Sequence, residues 1–214
     1  MNPRWTILVA TLGQRRERFG RLLDRLLPQL DAHDGAVTIC ALQNNGERLL
    51  GYVRQDLVEH ATSTYVSFVD DDDDVPDYFV AEVVACLDDQ VDYVGWQMQC
   101  YVDGAPLKPT YHSLRYSHWF DDRKGFYRDI SHLNPIRREL ALRGDFRRGE
   151  PPEDVSWADQ LRGVVRTECY VNRLMYYYRS SSTDSTWRQD SQFILQRRLD
   201  VQHPWFSYHP ASSE

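Results

Sequence analysis

Residues 65–76 read Tyr65-Val66-Ser67-Phe68-Val69-Asp70-Asp71-Asp72-Asp73-Asp74-Val75-Pro76. The first five are aromatic, β-branched or small, the pattern of a short buried strand. The run stops abruptly in five successive carboxylates, Asp70 to Asp74. Carboxylates this close repel one another, and the apolar run holds their base near the interior, so the cluster calls for positive charge. A hard divalent cation with oxygen ligands answers that need. An acidic run alone is more often a solvated loop. This one directly follows a buried strand and precedes a Pro-initiated helix (Pro76-Asp77-Tyr78-Phe79). Open α/β sheets bind ligands at that place, beyond the carboxyl ends of their strands. An EF-hand loop does not fit: counted from Asp70, the sixth position is Val75 rather than Gly and the twelfth is Ala81 rather than Glu.

Upstream, Trp5-Thr-Ile-Leu-Val-Ala10 is another continuous apolar strand, left through the turn Thr11-Leu12-Gly13. From about Gln14 to Leu27 the spacing predicts a helix, with Phe19, Leu22, Leu23, Leu26, Leu27 and Leu30 on one face. Its arginines (Arg15, Arg16, Arg18, Arg21, Arg25) read as a solvated face, with a phosphate-binding role open to one near the helix start. Ala36–Leu42 is a strand ending in Gln43-Asn44-Asn45-Gly46, so it forms a βαβ unit with the first strand, the two strands parallel. Helices are expected over Leu49–His60 and Pro76–Asp89, then a long strand over Val91–Val102 closed by a hairpin turn at Asp103-Gly104.

Ala105–Ser131 shows no period and is rich in Tyr, His and Trp. It reads as a packed loop or as a ligand-facing aromatic surface of the kind on which sugars stack. A short helix over Arg137–Leu142, a helix opened by Glu153-Asp154 and a strand over Thr167–Tyr178 complete the ordered part. Ser180–Thr186 reads as polar and flexible, Phe193–Leu199 as a short helix, and the tail to Glu214 as loosely held.

With 214 residues, 42% of them apolar, the chain suits one large domain with a proper core. The net charge of −7 gives nucleic-acid binding no global electrostatic support. No stretch approaches ~20 apolar residues, so no transmembrane helix is expected, and no signal-peptide pattern opens the chain. The cysteines Cys40, Cys86, Cys100 and Cys169 are scattered, with no C-x-x-C pair. They read as small buried thiols in a reducing, cytoplasmic compartment rather than as a disulfide framework or zinc site.

Four segments, in order, resemble family 2 glycosyltransferases of the GT-A fold. Trp5–Leu12 is similar to the opening strand, and Ala41–Gly46 to the second strand and its polar turn. Arg54–Asp74 resembles the stretch that carries the DxD motif. His132–Asp154 resembles the late segment that runs through Asn134-Pro-Ile-Arg-Arg to a Glu-Asp pair. Taken alone, Glu153-Asp154 reads equally well as helix-dipole compensation.

The resemblance implies a single α/β domain with a Rossmann-like, mostly parallel twisted sheet flanked by helices. It would span 1–186, with 1–100 binding the nucleotide sugar, 101–186 meeting the acceptor, and 187–214 forming a helix and tail. It implies that Thr11 and Leu12 line the nucleotide base, that Asn44 bonds it, and that Arg54 lies beside the nucleotide. Asp70 and Asp71 would sit near ribose and metal, with Asp72 and Asp70 holding Mn²⁺ or Mg²⁺; which two of Asp70–Asp74 make the DxD stays open. Asp154, with Glu153 beside it, would be the catalytic base of an inverting transfer from a nucleotide-diphosphate sugar, a UDP-sugar as the expected donor, to a glycan, lipid-linked or protein hydroxyl. No Q-x-x-R-W segment marks a processive synthase. Tyr111, His118, Trp119, His132 and Trp187 are candidates for the acceptor pocket.

A haloacid-dehalogenase-type phosphohydrolase would need a late lysine, and none follows Lys124. A non-catalytic nucleotide-sugar- or glycan-binding domain of the same fold is the alternative from another class.

Overall fold

The computed structural model describes residues 3–148, 152–181 and 205–210. Among them, ten strands form one mixed sheet flanked by helices. Its centre is β1 (Trp5–Thr11), parallel to β2 (Val37–Gln43) on one side and to β3 (Tyr65–Phe68) on the other. Every residue of β1 is buried, so both faces of the strand are covered, as its unbroken apolar sequence requires. The chain therefore moves from β1 to β2 on one side and returns to β3 on the other. That reversal opens a crevice at the carboxyl ends of β1 and β3.

Helix α1 (Arg16–Asp31) buries Leu22, Leu26 and Leu30. It runs past the expected stop at Leu27 and includes Pro28. Pro28 forfeits one i→i−4 hydrogen bond near the C-terminal end of the helix, and the extension takes Leu30 fully into the core. Helix α2 (Leu50–His60) packs on β1 and β2. Helix α3 (Phe79–Cys86) is shorter than the expected Pro76–Asp89. Gln29 of α1 accepts the Val80 N–H at 3.1 Å and donates to the Pro76 carbonyl at 3.1 Å, which fixes where the helix begins.

The second half is built on β4 (Tyr93–Val102), antiparallel to β5 (Ala105–His112) through an Asp103-Gly104 turn with both residues at positive φ, 51° and 79°. The segment expected to be irregular thus contributes β5, and also β6 (Phe120–Asp121) and β7 (Phe126–Arg128). Pro106 and Pro109 hid β5 from the sequence. They are tolerated because β7 pairs only with Thr110–His112, leaving the proline stretch open on that edge. Two residues, Ile136–Arg137 (β8), bridge β3 and β4, ahead of α4 (Arg138–Ala141). Helix α5 (Glu153–Leu161) and β9 (Glu168–Ser180), which is parallel to β4, follow. Within the tail, Trp205–Tyr208 (β10) is not loose: it pairs antiparallel with β2. The helix expected at 193–199, Trp187 and most of the segment at 180–186 lie outside the described residues. No helix among the described residues is long and apolar enough to cross a membrane.

The cysteine reading needs correction. Cys86, at the end of α3, and Cys169, near the start of β9, form a disulfide, while Cys40 and Cys100 are free thiols. The partners stand 83 residues apart, a spacing that carries no signal; only the packing of α3 on β9 brings them together. Disulfides persist in oxidising surroundings, so the inference of a reducing compartment loses its basis. Closing a loop of this length restricts the unfolded chain by about 4 kcal/mol. The Cys86→Ser/Cys169→Ser protein should therefore unfold at clearly lower urea concentration than the oxidised wild type. Equal midpoints would show that the bond adds nothing.

Candidate active site

The crevice at the β1/β3 switch point receives the acidic run, and the five aspartates divide by role. Asp71 is 2% exposed; Thr11, the last residue of β1, donates to its Oδ2 at 2.7 Å. Arg15, in the tight turn after β1, meets Asp71 Oδ1 at 3.0 Å and Asp72 Oδ2 at 3.0 Å, and Arg18 reaches Asp72 Oδ2 at 3.4 Å. Burial raises the Asp71 carboxyl above its ordinary pKa despite Thr11 and Arg15, and pushes Asp72 up to about 6.

Asp73 and Asp74 hold β9 instead. Asp73 accepts from the Tyr176 hydroxyl at 2.9 Å and from the Arg179 N–H at 2.7 Å, and burial among neighbouring carboxylates raises its pKa well above the usual range. Asp74 pairs main chain to main chain with Tyr177, by N–H···O bonds of 3.1 and 2.9 Å. Asp70, Asp71 and Asp72 line a cleft of about 120 Å³ together with Arg15, Arg54 and Tyr178.

The second acidic site joins the first through Arg54. Gly51 lets α2 approach closely, since a Cβ there would lie 2.5 Å from the Phe146 carbonyl oxygen and 3.5 Å from the Glu153 side chain. One turn on, Arg54 donates to Glu153 Oε1 at 2.5 Å and to Asp70 Oδ1 at 3.2 Å, its guanidinium 5.7 Å from the Phe68 ring centre. Burial opposes the charge of Arg54, but Asp70, Glu153 and Asp154 outweigh it and raise the guanidinium pKa. Glu153 and Asp154 form the first turn of α5, where the helix dipole favours anions. Burial raises the Asp154 carboxyl, Arg54 opposing and Glu153 adding. His132 Nδ1 lies 3.6 Å from Asp154 Oδ2.

The remaining predicted residues lie at the ends of β1 and β2. Leu12 lines a cavity of about 130 Å³ with Gly13, Gln14, Asn45 and Gly46. Asn44 is 1% exposed, and its side chain is occupied: it donates to the Arg48 carbonyl at 2.8 Å and accepts from the Arg48 N–H at 3.2 Å. Asn44 therefore shapes the loop, and Asn45 and Gln14 present amides to the cavity. The structure brings Thr11, Arg54, Asp70–Asp72, Glu153 and Asp154 into one connected cluster. Tyr111, His118 and Trp119 belong to a separate aromatic group: Tyr111 stacks on Tyr127 at 5.5 Å, His118 lies 5.5 Å from Phe120, and Trp119 donates to the Ile130 carbonyl at 3.2 Å. Arg15, Tyr176 and Arg179 were not singled out from the sequence. Arg15 alone carried a signal, its place at the helix start after Gly13.

A divalent cation fits this donor set in one form only. Among the described residues, no three His, Cys, Asp or Glu side chains converge as a self-sufficient metal cage. Arg54 takes Oδ1 of Asp70, while Arg15 and Arg18 take Oδ2 of Asp72, so the other oxygen of each carboxylate stays outside these ion pairs. Asp70–Asp74, Glu153 and Asp154 outnumber Arg15, Arg18, Arg25, Arg54 and Arg179. An anionic ligand entering here needs added positive charge. One or two carboxylates plus ligand phosphate oxygens and water is the environment Mg²⁺ commonly takes.

The fold is a GT-A-like α/β domain. A crystal structure of S. aureus TarS superposes with a TM-score of 0.60 at 15% identity, covering 94% of this chain and 41% of that one. TarS 1–349 in complex with UDP-GlcNAc gives 0.57 at 14% identity, covering 94% and 68%, and its UDP complex gives 0.57 at 15%, covering 94% and 67%. This chain thus spans about two fifths of the TarS chain in that structure. No protein-family profile and no curated protein sequence matches it.

Proposed function

We propose that the chain transfers a sugar from a nucleotide-diphosphate sugar to an acceptor hydroxyl with inversion, in the manner of family 2 glycosyltransferases. The observation that carries this reading is the buried link Asp70–Arg54–Glu153, which sets Asp154 beside the acidic end of β3. That the solved complexes of TarS hold UDP-GlcNAc and UDP supports a UDP-sugar donor. The base would enter the cavity lined by Leu12, Gln14 and Asn45, and the diphosphate the cleft between Arg15, Arg54 and Asp70–Asp72.

Asp70 and Asp72 would hold Mn²⁺ or Mg²⁺. When bound, such an ion neutralises the charge that develops on the leaving diphosphate. Arg15 and Arg54 add fixed positive charge on the same side. Asp154 takes the proton of the acceptor hydroxyl as that oxygen bonds to the anomeric carbon, and its raised pKa makes it a stronger base than a solvated carboxylate. Residues 1–100 would bind the donor and 101–186 meet the acceptor, a glycan, lipid-linked or protein hydroxyl.

Thermal denaturation with nucleotide sugars tests the donor. At a hundred times Kd a ligand adds about 2.7 kcal/mol, which raises Tm by roughly 5–10 °C in a domain of this size. UDP-GlcNAc with Mn²⁺ should give the shift, and Asp72→Asn should remove the Mn²⁺-dependent part. A panel of nucleotide sugars that leaves Tm unmoved with Mn²⁺ present would refute the reading. Slow release of UDP from UDP-GlcNAc distinguishes a transferase from a binding domain of the same fold.

A further inference from the structure

His132 is a buried polar side chain that the fold itself does not explain. It is 5% exposed, and neither ring nitrogen has a hydrogen-bond partner among the described residues. Burial of an unpartnered polar group is unfavourable, and in native structures it points to a role outside the folded state's own bonding. The nearby His112 shows the contrast. It is equally buried, but its Nδ1 meets Asn134 Oδ1 at 2.5 Å, and Asn134 in turn donates to the Val94 carbonyl at 2.9 Å.

The placement of His132 is also tightly specified. Its carbonyl accepts the Phe68 N–H at 2.9 Å, tying it to the end of β3 two residues before Asp70. Its ring lies between Phe68, at 5.7 Å, and Phe146, at 6.4 Å. The one carboxylate it approaches is Asp154, Nδ1 to Oδ2 at 3.6 Å, just beyond hydrogen-bond range, and a small swing of either side chain closes the gap.

We propose that His132 is a positioning residue for Asp154: its Nδ1–H holds one carboxylate oxygen so that the other faces the acceptor hydroxyl. This rests on Asp154 being the base. In the transfer step the hydroxyl O–H breaks as its oxygen bonds to the anomeric carbon, and the proton passes to the free oxygen of Asp154. The bond from that carbon to the diphosphate breaks, its electron pair leaving on the phosphate oxygen. His132 gives up no proton and takes none. Its environment keeps it neutral: burial, then the charge of Arg54, then His112 hold its pKa well below the ordinary value.

The test uses His132→Phe, His132→Asn, Asp154→Asn and the double variant His132→Phe/Asp154→Asn, followed by UDP release from UDP-GlcNAc with Mn²⁺. His132→Phe should lower kcat by about 10- to 100-fold, the scale of a misplaced catalytic group, with KM for UDP-GlcNAc unchanged. Its Tm should not fall, because an apolar ring replaces an unpartnered polar one; a purely structural histidine would show the reverse. His132→Asn should recover part of the rate, since its amide can donate. The double variant should be no slower than Asp154→Asn alone. Wild-type kcat in His132→Phe, or losses that multiply in the double variant, would overturn the proposal. Wild-type rate in Asp154→Asn would overturn the base assignment instead. If the wild type itself releases no UDP, the donor reading is what fails, and ¹⁵N-histidine NMR decides the rest. An Nδ1–H tautomer of His132 whose signal moves in Asp154→Asn supports the pairing; an Nε2–H tautomer indifferent to that substitution refutes it.

Discussion

Asp154→Asn should reduce sugar transfer by about 10²–10⁴-fold, the range that a positioned general base supplies. The change keeps the side chain's shape and removes its capacity to take a proton. Donor binding, which we propose falls to the arginines and Asp70–Asp72, should be unaffected, so the Tm shift with UDP-GlcNAc and Mn²⁺ should match the wild type. The pH profile gives a second check. A base works only when deprotonated, so activity should fall as pH drops through the Asp154 pKa. Burial raises that pKa, so the acid limb should lie above the range of a solvated carboxylate. Transfer at the wild-type rate with normal donor binding would remove Asp154 from the chemistry.

The second large effect concerns Arg54. It is almost fully buried, and it is the partner of both Glu153, 14% exposed, and Asp70, 24% exposed. Arg54→Met leaves two acids with no counter-ion, and breaking a buried pair in this way costs about 3–5 kcal/mol. Arg54→Lys keeps the charge but not the fork that reaches two carboxylates at once, so it should recover only part of the loss. Urea unfolding of the three proteins decides the point. If Arg54→Met unfolds within ~1 kcal/mol of the wild type, the surface-pair range, Arg54 does not organise the site.

The parallel core was legible because its signals are local. Trp5–Ala10, Ala36–Leu42 and Tyr65–Val69 are unbroken apolar runs separated by helix-period segments, and the parallel pairing of β1 with β2 follows from them; the place of β3 on the other side of β1 came from the structure. The position of the acidic run was legible for the same reason, since it directly follows one of these strands. What escaped depends on contacts between distant segments. Cys86 and Cys169 meet only once α3 packs on β9. Of the arginines at 15–25, Arg15 is buried against Asp71, because the tight turn after Leu12 aims it back there. Asp70 to Asp74 are indistinguishable in sequence; Tyr176 and Tyr177 sort them by claiming the last two.

That sorting leaves the acidic loop fastened along one border. On the β9 side, Asp73 and Asp74 are stitched by hydroxyl and main-chain bonds that no ligand displaces. On the opposite border Asp71 and Asp72 meet the guanidiniums of Arg15 and Arg18, and Thr11 donates to Asp71. For the donor site proposed above, this gives the carboxylates a main-chain anchor on the β9 side that does not depend on the arginines.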